Sequence, residues 1–394
     1  MHDSRFPYTA ELAMPVIGLE SEFRVFVDDR EVAPETVWRT PAGFIERPLL
    51  KRTTKSSQLP SGGAVYFDGG VIEVVTPVIE VAPGCTARAV RSLWEQIGFV
   101  RGELDVWEKR HGSRVRLQAF SCHVNISFEL PREERGPQRT IQKLALLLSL
   151  VLPAPVIVAG ANRRSTAIGV RPRRDRIEIT LDFTPDPGLM AAMVALIAGV
   201  VREIIAWPSY RVGAAEEHGV PIIAAVTPAQ HASRKGWAVR AANFARNPFT
   251  CDIDAAEWRM TSGRTMSLRR VALATATLFR DSIRAVADEC SEQLLFAVFR
   301  GQTQSLLDLD DRPAAYDDVG RTTPPMPPWL ASVTRGAYEQ LFLNLANGRR
   351  LRLGDDVLTP VKVKGWYHAI FRTRRGEERM LSLDQLLRCG ECWE

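Results

Sequence analysis

A chain of 394 residues, 45% hydrophobic and 25% charged, is long and apolar enough to bury a sizeable core, which excludes a disordered protein. Its 51 basic and 46 acidic side chains leave a formal charge of +5, too mild a balance to argue for nucleic acid. No stretch of about 18–20 residues runs free of charge or proline, so no membrane span is expected.

The start, MHDSRFPYTAELAMP, carries acids and lacks a basic-then-apolar leader pattern, and the six cysteines are mostly dispersed, so a reducing, cytoplasmic location is expected. Residues 14–29 (MPVIGLESEFRVFVDD) alternate apolar and polar side chains and predict a strand ending at Asp28–Asp29. On such a strand Glu20 and Glu22 point the same way, roughly 7 Å apart. Two carboxylates on one face repel each other if that face is dry, so the face is either wet or holds cations. After the turn signal QLPSGG, a strand carries Tyr66–Asp68. The Gly69–Gly70 turn then leads into a second strand, Val71–Pro77, with Glu73 among valines and isoleucine. The spacing predicts an amphipathic helix over 86–110 and a return to strand over 114–130. Within the latter, SCHVNISF places His123, Asn125 and Ser127 on one face and Cys122, Val124, Ile126 and Phe128 on the other.

An apolar helix is expected at about 139–152, stopping before Pro153 and Pro155. GVRPRRDR (169–176) packs four arginines into six positions, which reads equally as a solvated loop or an anion site. DRIEITLDF (175–183) is a strand with Glu178 between isoleucines, and 185–207 opens with prolines and continues as a buried helix. A long helix is expected over 267–299. The proline-dense RTTPPMPPW (321–329) marks a linker or docking turn. A helix at about 335–346 and strand pairs over 349–373 then form a small terminal module. Helices and mostly antiparallel strands alternate irregularly, which gives an α+β class with a division near residue 300. CGEC at 389–392 has zinc or redox spacing but no second pair.

Each chemical signal has a plain structural reading: an exposed strand face, a turn aspartate, a lone strand histidine, a solvent-facing glutamate. Together, Glu20, Glu22, Glu73, His123 and Glu178 place five acid or imidazole groups on four strands, each in an apolar setting. Hard divalent cations take such oxygen ligands, and arginines beside them neutralise phosphate. Neither a G-x-x-x-x-G-K-[ST] loop nor a G-x-G-x-x-G fingerprint is present, so a nucleotide would be held by metals and arginines on a sheet.

The motifs GLESEF, VYFDGGVIEVVTP and SCHVNISF, with an Arg-rich strand bearing Glu178 and a following Asp-Pro helix, resemble the glutamine synthetase-like carboxylate–amine ligases. Within that superfamily they are most similar to the ligase and the deamidase/depupylase of the prokaryotic ubiquitin-like protein Pup. The likeness runs from about residue 14 to 285. It implies a curved antiparallel sheet in a catalytic domain over 14–300, a small C-terminal domain over 301–394, and ATP with Mg²⁺ or Mn²⁺ as cofactors. It further implies Glu20, Glu22, Glu73, His123 and Glu178 as metal ligands, with Asn125, Ser127, Arg171 and Arg174 on the nucleotide or substrate. Asp68 would act as base on the incoming amine in a ligase, or as nucleophile or water activator in a deamidase. The 47 residues between Glu20 and Asp68 leave no room for the depupylase's inserted loop, which favours the ligase side. The implied partners are a carboxylate substrate (the C-terminal glutamate of a small protein, or a small molecule) and an amine acceptor, with neither nucleic acid nor membrane. An ATP-cofactored amidase and a non-catalytic nucleotide-binding relative stay open as alternatives.

Overall fold

The computed structural model describes residues 12, 14–53, 55–130, 134, 136–231, 236–389 and 393–394. The first strand, β1 (Val16–Val27), buries Leu19, Ser21, Phe23 and Val25 completely on one face and leaves Glu20, Glu22 and Arg24 half-buried on the other. It ends at Asp28–Asp29, whose φ values of 48° and 63° make a tight hairpin turn back to Arg30–Val32. Strands β2 (Ala64–Asp68) and β3 (Val71–Val75) form a second hairpin. Its turn needs positive φ at both central positions, which Gly69 and Gly70 supply at 59° and 92°. Helix α1 (Cys85–His111) ends at Gly112 in the left-handed region, with Lys109, Arg110 and His111 placed to complement the carbonyl end of its dipole.

Strand β4 (Val115–Ser127) is long because a bulge at Phe120 resets its alternation. Val115, Leu117 and Ala119 face the core before it, and Cys122, Val124 and Ile126 after it. Strands β5 (Ala167–Pro172) and β6 (Arg176–Leu181) follow, then helix α2 (Pro187–Ala206), capped by Asp186 accepting from the Leu189 amide at 2.8 Å. In the C-terminal region β7 (Asp356–Lys364) and β8 (His368–Arg372) pair antiparallel.

These strands lie in one strongly curled, mostly antiparallel sheet whose path runs through thirteen strands, with β5, β6, β4, β1, β3 and β2 consecutive at its centre. The fold is α+β. The core faces of β1, β4 and β6 share one cluster with α1 and α2, so the opposite sheet face is left for polar side chains. By length and composition α2 could cross a bilayer, but 78% of that window is buried inside the fold, in keeping with the buried helix expected over 185–207. Its apolar surface is used in packing against the sheet and its helical neighbours. At Gly199 a Cβ would lie 2.6 Å from the Ile283 backbone, so Gly199→Ala is expected to destabilise by roughly 1–3 kcal/mol in urea titration, despite alanine's better helix propensity.

One expected element differs. The segment 267–299 is three helices, Leu268–Leu278, Arg280–Val286 and Glu289–Phe299. Asp288 starts the last of them by accepting from the Ser291 amide at 2.9 Å, a competing cap that ends the preceding turn. The apolar helix ends before Pro153 as expected, at Ile141–Val151, and Pro153 opens a second helix, Pro153–Gly160, bent 58° from it.

A smaller core gathers Tyr338, Phe342, Leu345, Leu358, Val363 and Phe371 with Val16 and Val78. Leu306, Leu307, Tyr316, Val319 and Leu330 pack in the larger core, and the proline-dense segment docks there through Met326 and Trp329. A buried ion pair, Arg91 to Glu339 at 2.5 Å, joins α1 to the helix Ala337–Ala346. Of the CGEC motif, Cys389 is half-buried and Cys392 lies outside the described residues.

Candidate functional site

Strand register builds the site. Tyr66 pairs with Glu73, Glu73 with Glu22, and Glu22 with Ser121, which makes one row across β2, β3, β1 and β4. In the next row Glu20 pairs with His123 and His123 with Thr180, and in the third Asn125 pairs with Glu178 and Glu178 with Arg171. All of these side chains stand on the face turned away from the helices. Because rows are about 7 Å apart along a strand and strands about 4.8 Å apart, the five predicted ligands fall within one patch.

The side-chain atoms meet as that spacing requires. One oxygen each of Glu20 and Glu178 and a nitrogen of His123 lie within 4.8 Å of one another, and the same holds for Glu22, Glu73 and His123. His123 Nδ1 lies 3.1 Å from Glu20 Oε2, and its Nε2 lies 3.0 Å from Arg171 Nη2. A guanidinium only donates, so Nε2 accepts and the imidazole proton sits on Nδ1, where it is donated to Glu20. Tyr66 Oη donates to Glu73 Oε1 at 2.5 Å, and Ser121 Oγ to Glu22 Oε2 at 2.5 Å. Arg171 Nε and Arg173 Nε reach the two oxygens of Glu178 at 2.7 Å each, a double clamp on a fully buried carboxylate.

Burial pushes the Glu73 carboxyl up, and the nearby Glu20 charge pushes further, to about 9. Burial also raises Glu20, but the hydrogen bond and charge of His123, with help from Arg176, outweigh it and hold Glu20 below its ordinary value. Glu73 therefore keeps its proton at neutral pH in the absence of a cation. Four carboxylates and one imidazole of this kind fit hard divalent cations. A neutral imidazole has one free lone pair and serves one ion, so the second group of ligands would rest on carboxylates.

Glu20, Glu22, Glu73, His123 and Glu178 converge. Asn125 joins their face, its Oδ1 accepting from Arg176 Nε at 2.8 Å, and Ser127 Oγ accepts from the Val16 amide at 2.8 Å. Arg171 reaches the cluster, whereas Arg174 stands exposed in the turn between β5 and β6 and lines neither neighbouring cleft. Asp68 ends β2 two residues beyond Tyr66, on the same face and exposed, its side chain without a hydrogen-bond partner among the described residues. Tyr66, Ser121, Arg173 and Arg176 were not foreseen. Tyr66 alone had a readable signal, since a two-glycine hairpin fixes its pairing with Glu73.

Two open spaces flank the cluster. A cleft of about 650 Å³ extends from Glu22, His123 and Arg171 toward Asp182, Arg240 and Arg312. On the other side a narrow slot of about 50 Å³ runs from Glu20 under Trp366 and Tyr367.

Fold and site together define an α+β protein with a carboxylate-rich candidate metal centre on the face of a curled sheet turned away from the helices. No family model and no curated protein matches the chain. Among solved structures it is similar to the Pup ligase PafA in complex with the prokaryotic ubiquitin-like protein Pup, with a TM-score of 0.48 and 11% identity over 96% of this chain and 93% of that one. It is also similar to PafA in complex with ADP, with a TM-score of 0.42 and 11% identity over 85% and 90% of the two chains. Both are structures of the family that the motifs resemble. At TM-scores under 0.5 neither likeness bears on the chemistry, which this chain's own side chains define.

Proposed function

We propose that the chain is an ATP- and divalent-cation-dependent carboxylate–amine ligase that forms an amide or isopeptide bond through an acyl phosphate. The observation that supports this most directly is the convergence of Glu20, Glu22, Glu73, His123 and Glu178, from four strands, beside two guanidinium groups. Bound Mg²⁺ or Mn²⁺ supplies charge neutralisation for a transferring phosphoryl group. Arg171 and Arg173 now hold Glu178. When that carboxylate is otherwise engaged, their planar forks present paired donors to phosphate oxygens.

Asn125 and Ser127 bind the nucleotide on the slot side, and the carboxylate substrate enters by the larger cleft, where Arg240 and Arg312 face it. Asp68, exposed at the end of β2, takes the proton from the attacking ammonium. The acceptor is a protein lysine or a small amine.

The reading is tested by incubating the protein with ATP, Mg²⁺, hydroxylamine and a panel of carboxylates, including peptides ending in glutamate. Equal amounts of ADP and hydroxamate are expected, and both disappear in His123→Ala. Amide hydrolysis without ADP formation would instead favour an amidase, and nucleotide binding without turnover of any carboxylate would favour a non-catalytic relative.

A further inference from the structure

We infer that the groove between the helices Arg280–Val286 and Glu289–Phe299 docks a charge-polarised segment of a partner protein. That segment carries carboxylates at one end, apolar side chains in the middle and ammonium groups at the other. The inference is independent of the ligase reading. Both helices rest on α2, where Ile283 approaches Gly199 and Leu294 approaches Gly188. The groove opens on this helical side, and its lining shares no residue with either space beside the carboxylate cluster. At about 620 Å³ it is far larger than a single ion needs and falls in the range of clefts that hold extended ligands.

Between the two helices the chain turns at Ala287 and Asp288, which brings the start of the first beside the end of the second. Arg280 and Arg300 accordingly meet at one ring, 5.0 and 5.5 Å from the centre of buried Phe296. The Arg300 guanidinium has no hydrogen bond or ion pair among the described residues, and Arg280 commits only its Nε, to Glu292 Oε1 at 2.8 Å. Glu292 is 7% exposed and also accepts from Arg284, Nε at 3.0 Å and Nη2 at 3.1 Å. The hydrogen bond from Arg284, joined by that from Arg280, outweighs burial and holds Glu292 below its ordinary value. It therefore stays charged and cancels one of the three guanidinium charges.

The opposite end is acidic. Asp288 caps the second helix with both oxygens on Ser291, and Glu289 stands exposed with one oxygen on Gln293 Nε2 at 2.9 Å. Between the ends, Ala287 and Phe296 give an apolar floor. Three arginines and three acids leave the lining neutral in sum but polarised along its length, positive at Arg280 and Arg300 and negative at Asp288 and Glu289. A lone anion or cation is drawn by one end and repelled by the other. A segment with its charges in blocks satisfies both ends at once.

Fluorescence anisotropy of the full chain, without nucleotide or metal, tests this with two labelled peptides of one composition. In the first, glutamates, leucines and lysines stand in consecutive blocks; in the second the same residues alternate. The block peptide is expected to bind the wild type at least about 5-fold more tightly. Arg300→Glu and Glu289→Lys should each weaken that binding by roughly 10-fold. Both fall on exposed side chains outside the cores, so the melting temperature should stay close to wild type. Equal affinity for the two peptides, no saturable binding up to about 1 mM, or unchanged affinity in both variants would overturn the inference. Loss of binding in Arg240→Glu but not in Arg300→Glu would place the peptide in the larger cleft and also overturn it. So would a wild-type dimer in sedimentation that Arg300→Glu dissolves, which would assign the groove to a second copy of the chain.

Discussion

Glu73→Gln is expected to stabilise the metal-free protein between pH 6 and 9 and at the same time to weaken divalent-cation binding by roughly 10-fold or more. The wild-type carboxyl is buried, 3% exposed, directly opposite Glu22 in the register and near the Glu20 charge. Its folded value of about 9 lies above the ordinary 4.5. Over that interval the folded chain holds a proton that the unfolded chain has released. The group's contribution to stability is therefore fully present below pH 4.5 and is lost as pH rises toward 9. Glutamine carries no charge to bury and keeps the hydrogen bond that Tyr66 donates at 2.5 Å, so this part of the pH dependence should flatten.

Thermal melts of the metal-free protein at half-unit pH steps check this, with the variant gaining a few degrees over wild type near pH 8–9. Glu20 acts in the opposite sense. Its lowered value contributes stability above the ordinary 4.5 that is lost at lower pH, so steps above pH 6 isolate Glu73. Added Mn²⁺ should raise the wild-type melting temperature more at pH 8 than at pH 6, because binding must displace the Glu73 proton. Parallel melting curves for wild type and variant would show that Glu73 titrates normally and that the carboxylates are not mutually strained.

Asp68→Asn is expected to lower amide formation from lysine or ammonium by about 10²–10⁴-fold while leaving Mg–ATP binding unchanged. Asp68 sits at the exposed end of β2, outside the converging ligands, so its loss removes neither a ligand nor a core contact. Hydroxylamine gives the sharper readout. Its nitrogen carries a free lone pair at neutral pH and needs no base, so hydroxamate formation in Asp68→Asn should stay close to wild type. Loss of hydroxamate in parallel with the amide would place Asp68 in phosphoryl transfer. Wild-type turnover with lysine would remove it from the chemistry.

Much of the site can be read without coordinates because it is written in strand alternation. Glu20 and Glu22 with Leu19, Ser21 and Phe23 between them, or His123 and Asn125 between Cys122, Val124 and Ile126, declare opposite faces by sterics alone. The Asp28–Asp29 and Gly69–Gly70 turns are equally local, since few residues tolerate their positive φ. What alternation does not carry is register between distant strands. Facing Glu22 across to both Glu73 and Ser121 requires the Phe120 bulge, an extra residue with no sequence signature.

The arginine run shows the same limit. Arg173 and Arg176 engage Glu178 and Asn125 while Arg174 stays in solvent, because the turn between β5 and β6 decides which side chains return to the sheet face. Trp366 and Tyr367 are further still from any local signal, lying 240 residues or more beyond His123 in a module with its own core. By itself, then, the sequence determined the strands, their polar faces and the five acid and imidazole side chains that converge. Only the tertiary structure decided their neighbours: side-chain direction follows from local backbone geometry, whereas pairing across a curled sheet is set by the packing of the whole core behind it.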